Sequence, residues 1–139
     1  MNSAFKIFFL CEDWLSVNRA NDLKIRLAQN CQNQVIIEAD FCEYARLSHP
    51  RLRELALTKA INSDMIVISA NGTEAIPEFV QDWMNETDKS SQEKKAYAEF
   101  LHEESHDKAT TFHRFMDNWA SQRGTVLFSN LFPNGEATL

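Results

Sequence analysis

Phe5-Lys6-Ile7-Phe8-Phe9-Leu10-Cys11 places bulky apolar side chains at both parities of an extended chain. A strand built from it has no face left for water, so it belongs inside a parallel sheet covered on both sides. Glu12-Asp13 closes the run, and Ser16 then offers a helix cap. Val17, Ala20, Leu23 and Leu27 recur at helical spacing, with Asn18, Arg19, Asp22, Lys24 and Arg26 mostly on the other side. A buried strand leading straight into an amphipathic helix is the opening of a βαβ unit.

The same alternation continues along the chain. Val35-Ile36-Ile37 begins a second strand running as far as Cys42, and the turn Ser48-His49-Pro50 separates it from a helix carrying Leu52, Leu55, Ala56 and Ala60. Met65-Ile66-Val67-Ile68 reads as a third strand, Asn71-Gly72-Thr73 as a turn, and Pro77 as the first residue of a helix with the stripe Phe79, Val80, Trp83 and Met84. Glu86 to Lys95 is polar and predicts a surface loop. Ala96 to Leu101 predicts a fourth strand, and Ser105 or Asp107 a cap. Phe112, Phe115, Met116, Trp119 and Ala120 give a helix its inward face, with Gly124 as its stop and Thr125 to Phe128 as a fifth strand.

Strictly alternating strands and helices with right-handed crossovers predict a three-layer α/β fold. Its doubly wound, parallel five-stranded sheet is expected in the order 2-1-3-4-5. Leu131 to Leu139 contains Pro133 and Gly135 and is too short for a closing C-terminal helix, which is therefore missing from the pattern. One face of the sheet is then left to the first helix alone. Exposed apolar sheet surface wants a partner, so a homodimer or another protein is expected to cover that face.

The 139 residues suit one domain, 1–139, and a charge of −6 with scattered basic residues argues against nucleic acid as a partner. Arg51/Arg53 and Lys94/Lys95 are the densest basic groupings and read as solvated faces. The first apolar run is interrupted by Lys6 and lacks a small-residue cleavage site, which favours a strand over a leader. No stretch approaches the roughly 18 apolar residues of a membrane span, so a soluble, cytoplasmic protein without a membrane partner is expected. Cys11, Cys31 and Cys42 have no metal-finger spacing. Cys11 and Cys42 would be a redox pair if they ended neighbouring strands side by side, and free buried thiols are the simpler reading.

In an open α/β sheet, ligands bind beyond the carboxyl ends of the strands. The candidates there are Glu12, Asp13, Ser69, Asn71 and Asn130. Glu12-Asp13 after the first strand resembles the acidic pair of response-regulator receiver domains, where such a pair holds magnesium. Aligning Asp64 to Ser69 on that family's third strand puts Ser69 where the phosphorylated aspartate belongs, and Phe128-Ser129-Asn130 offers no lysine. The stretch Asn62 to Gly72, followed by a Pro-started helix with Trp83, resembles a bacterial family of receiver-like, flavodoxin-like proteins. The resemblance implies the fold and a degenerate relative of receiver domains, with no activity to carry over.

Flavin and nucleotide cofactors are disfavoured because the loop after the first strand is Glu12-Asp13-Trp14-Leu15-Ser16, with carboxylates where a phosphate would sit and no glycine-rich sequence anywhere. No cofactor is expected. His102-Glu103-Glu104-Ser105-His106 matches H-E-x-x-H, with His113 as a conceivable third zinc ligand. That chemistry needs a single helix through the motif, whereas the first half reads as the end of a strand, so no metal is expected. Trp14, Tyr44 and Phe132 fall at loops or element ends and are the candidate partner anchors. These features together predict a non-catalytic binding or regulatory module. The alternatives are a small hydrolase or transferase pairing Glu12 or Asp13 with Glu78 at the carboxyl edge, and a zinc-dependent hydrolase using His102 to His106.

Overall fold

In the computed structural model, which describes residues 3–31, 34–72, 74–102 and 106–129, β1 (Ser3–Cys11) pairs in parallel with β2 (Val35–Glu43) and β3 (Met65–Ala70). β4 (Ala96–Leu101) and the short β5 (Leu127–Phe128) extend it to a five-stranded, all-parallel sheet in the order β2-β1-β3-β4-β5. Helices α1 (Trp14–Asn30), α2 (Pro50–Ile61), α3 (Glu78–Ser90) and α4 (His106–Arg123) lie between successive strands. The arrangement is flavodoxin-like, in the order read from the sequence. No described helix is long and apolar enough to cross a membrane.

The mixed parity of β1 divides the core in two. Ile7, Phe9 and Cys11 join Ala20 and Leu23 of α1 on one face, together with Val67, Ala98 and Phe100. Phe8 and Leu10 join α2, α3 and α4 on the other, where Trp83 stacks on Phe8 at 5.6 Å and Tyr97 meets Trp119 edge-on at 4.8 Å. Among the described residues, α1 is the one helix over its face. The segment behind the expectation of a missing closing helix lies outside the described residues.

The register also separates the cysteines. Leu10 stands opposite Cys42 and Cys11 opposite Glu43, so the two thiols point to opposite faces. Both are free and buried, and burial is the first cause that raises their pKa values. They do not form a redox pair.

Several local boundaries differ from the sequence reading for identifiable reasons. Asp13, not Ser16, caps α1: its Oδ1 accepts the Ser16 N–H at 2.9 Å, the bond that an N-cap makes two or three residues ahead. A 3-10 turn over Tyr44–Ser48 precedes α2. Leu55 is 54% exposed, and Leu57 is buried in its place. Pro77 is the cap of α3 and Glu78 its first residue. Much of the polar stretch from Glu86 is helical, because α3 continues to Ser90. Buried Thr87 bonds back to the Trp83 carbonyl, and Asp88 meets Lys94 and Arg123. Gly124 ends α4 at φ +64°, the left-handed conformation that favours glycine after a helix.

Candidate functional site

Three of the five edge candidates come together through one residue. The Asn71 backbone N–H donates to Glu12 Oε1 at 2.8 Å, and its amide Nδ2 donates to Asp13 Oδ2 at 3.3 Å. Arg19 of α1 donates to Asn71 Oδ1 at 3.4 Å from behind. Asn71 thus ties the end of β3 to the loop after β1, where the Glu12 N–H already continues the ladder to the Ser69 carbonyl at 2.9 Å. Burial disfavours ionised Asp13, but the Ser16 N–H, the Ser16 and Asn71 side-chain contacts and the Arg19 charge outweigh it and lower its pKa.

Ser69 does not join them. Its hydroxyl is fully buried on the α1 side and donates to the Ser16 carbonyl at 2.9 Å. The residue aligned with a phosphoacceptor is therefore a packing residue that anchors α1 to β3. Asn130 lies outside the described residues.

Glu12 and Asp13 form one wall of a cleft of about 310 Å³ lined also by Tyr44, Glu74, Ala75, Pro77 and Phe112. No described Lys or Arg lines it. Tyr44 corrects an expectation. It is 6% exposed, part of the core rather than an exposed rim anchor, because the 3-10 turn folds its ring inward beside Leu47. Its hydroxyl is buried and has no hydrogen-bond partner among the described residues. Burial first, then the charges of Glu12, Cys11 and Asp13, raises its pKa, so it is a protonated phenol. Trp14 stands on the first turn of α1 at 67% exposure, apart from Tyr44's buried position, and Phe132 lies outside the described residues. Glu78 is exposed at the start of α3 and does not line the cleft.

The histidines do not gather. His102 follows β4 before α4 begins, so the H-E-x-x-H residues do not share a helix. Its ring packs edge-on against Phe100 at 4.5 Å, and burial, followed by the charges of Arg19 and Arg26, lowers its pKa to about 4 against the pull of Asp13. The side chain of His106 lies outside the described residues. His113 hangs from α4 on the opposite face, where its Nδ1 meets Glu99 Oε1. Among the described residues, no group of three or more His, Cys, Asp or Glu is placed to hold a metal ion.

Glu99, which the sequence shows only as a polar interruption of the fourth strand, is the functional-looking residue absent from the edge candidates. It is 1% exposed in the middle of β4 and faces α4 with Ile68 as its neighbour in register. Burial raises its pKa, and the His113 contact opposes that rise. Ser129 Oγ sits 3.5 Å from the same His113 Nδ1. A catalytic triad needs the acid and the hydroxyl on opposite ring nitrogens. Here both address Nδ1, so the ring does not bridge acid and hydroxyl as a triad requires. The only signal in the sequence was a lone Glu between Ala98 and Phe100.

A second concavity of about 390 Å³ opens on the α1 face. It is lined by apolar side chains and Cys31, with Phe5, Ile7, Leu27, Met65 and Phe128 among them. Phe128 on the edge strand β5 is exposed where it lines this concavity, and Val126, just before that strand, is exposed as well. Comparison with known proteins found no matching family model, no matching curated protein and no matching solved structure.

Proposed function

We infer that the chain is a non-catalytic binding or regulatory module of the cytoplasm, related in descent to receiver domains but without their phosphoryl chemistry. The observation that carries this reading is the commitment of the edge side chains. Asp13 is occupied at both oxygens, Glu12 accepts the Asn71 N–H, and the Ser69 hydroxyl is buried against Ser16. A nucleophile needs an adjacent base and an open approach, and neither is available to Ser69. The test is incubation with magnesium and a small phosphodonor, alongside chromogenic phosphate and acyl esters. Unchanged protein mass and no turnover are expected. Turnover that disappears in Glu12→Gln would establish the rival hydrolase or transferase.

The apolar groove supports self-association as part of the same reading. Exposed Phe128 carries the groove to the edge strand β5, which among the described residues pairs on one side only, and a two-fold axis brings the same patch of two copies together. Sedimentation velocity is expected to show a dimer at micromolar concentration and a monomer for Phe128→Asp. A wild-type monomer at high micromolar concentration removes self-association.

A further inference from the structure

We propose that Glu99 governs self-association from the far side of the sheet, holding the chain after β5 through Ser129 and so setting Phe128 at the rim of the α1-side groove. The proposal rests on the self-association reading and names a positioning residue for its surface.

β5 is two residues long, and side chains along an extended chain alternate between the faces of a sheet. Leu127 packs against the core shared by α2, α3 and α4, and Phe128 lines the groove on the α1 side. Ser129 returns to the α4 side, where its hydroxyl bonds the Glu99 carboxyl. The same hydroxyl lies 3.5 Å from His113 Nδ1, which itself meets Glu99 Oε1. Before β5 the chain is tied down twice: Thr125 Oγ1 donates to the Lys95 carbonyl at 2.9 Å, and the Val126 carbonyl accepts the Tyr97 N–H at 2.9 Å. After Phe128 it is held by the bond of Ser129 to Glu99.

The groove needs that second anchor. Phe128 stands in register with Ala98, whose methyl group gives an aromatic ring little to pack against. The ring is 44% exposed, so its place follows the backbone of β5 rather than a socket of its own. Glu99 suits the anchor's role. It is 1% exposed and in register with Ile68 of β3, which fixes its backbone in the interior of the sheet. An apolar residue at this position would avoid the cost of burying a carboxyl, but would join neither α4 nor the chain after β5.

Sedimentation velocity and fluorine NMR test the proposal in the full chain. Ser129→Ala removes a hydroxyl from an exposed position, so its melting temperature is expected to match the wild type. Its dimer is expected to dissociate about tenfold more readily, the effect of one lost hydrogen bond to an acidic acceptor. Ser129→Thr keeps the hydroxyl and is expected to restore wild-type association. Glu99→Gln keeps the volume without the charge and is expected to weaken the dimer in the same direction. The double variant should lose less than the two single losses together, because both changes act on one bond. With para-fluorophenylalanine at position 128, Ser129→Ala is expected to shift the ring resonance in dilute, monomeric protein, and Ser129→Thr to return it. A wild-type dimer indifferent to Ser129→Ala, a ring resonance that does not move, or fully additive losses would each overturn the proposal and leave self-association standing. A wild-type chain that is monomeric at high micromolar concentration removes self-association, and this control with it.

Discussion

Trp83→Ala is expected to cost about 3–5 kcal/mol, enough to unfold a large share of the chain at physiological temperature. Trp83 is fully buried on α3, stacked on Phe8 of β1, and sits where three helices meet one face of the sheet. Truncation leaves a cavity between rigid elements that cannot close. The indole N–H has no hydrogen-bond partner among the described residues, which makes the companion variant informative. Trp83→Phe removes that orphan donor along with part of the ring, and these effects oppose each other, so its loss is expected to stay near about 1 kcal/mol. Urea unfolding of both variants measures the difference. Equal losses would mean that the buried N–H is satisfied in solution and that volume alone does not set the cost.

That contrast shows why the fold was legible and the site was not. Two-sided apolarity in Phe5 to Cys11 and the 3.6-residue stripe of α1 are signals of a kind repeated along the chain, and any few of them mark the alternating elements and the layers. The errors fell where one residue decides. Asp13 displaced Ser16 as the cap because an N-cap is chosen by geometry among several eligible side chains. Leu55 pointed outward and Leu57 inward because a helix of weak apolar contrast has no single preferred rotation.

Site residues are harder still, because their meaning lies in partners far apart in the chain. Glu12, Asp13 and Asn71 were placed at one edge by topology, but nothing in the sequence says that Asn71 would satisfy both acids. Tyr44 looked like a rim aromatic until a 3-10 turn, which has no strong sequence signature, folded it under the cleft. Glu99 and His113 lie on consecutive elements at no recognised spacing, and their pairing depends on the angle at which α4 crosses β4.

The Glu99–His113 contact makes the second large prediction. His113→Ala is expected to cost about 3 kcal/mol at about pH 8, because it leaves a nearly fully buried carboxyl with only the exposed Ser129 hydroxyl to bond it. The loss should shrink as pH falls. Burial raises the folded-state pKa of Glu99 above its unfolded value of about 4.3. A carboxyl shifted in that direction contributes stability below the unfolded pKa and loses it as pH rises through the folded one. In the wild type His113 opposes the shift, so the histidine matters most where Glu99 would otherwise be forced to ionise unpaired. Adding Glu99→Gln to His113→Ala removes the ionisable group and is expected to recover most of the alkaline loss, while Glu99→Gln alone flattens the pH profile. Urea unfolding of the four proteins at about pH 5 and about pH 8 completes the cycle. A His113→Ala penalty independent of pH would mean that α4 is held down by packing of the ring, and that the buried charge has another partner.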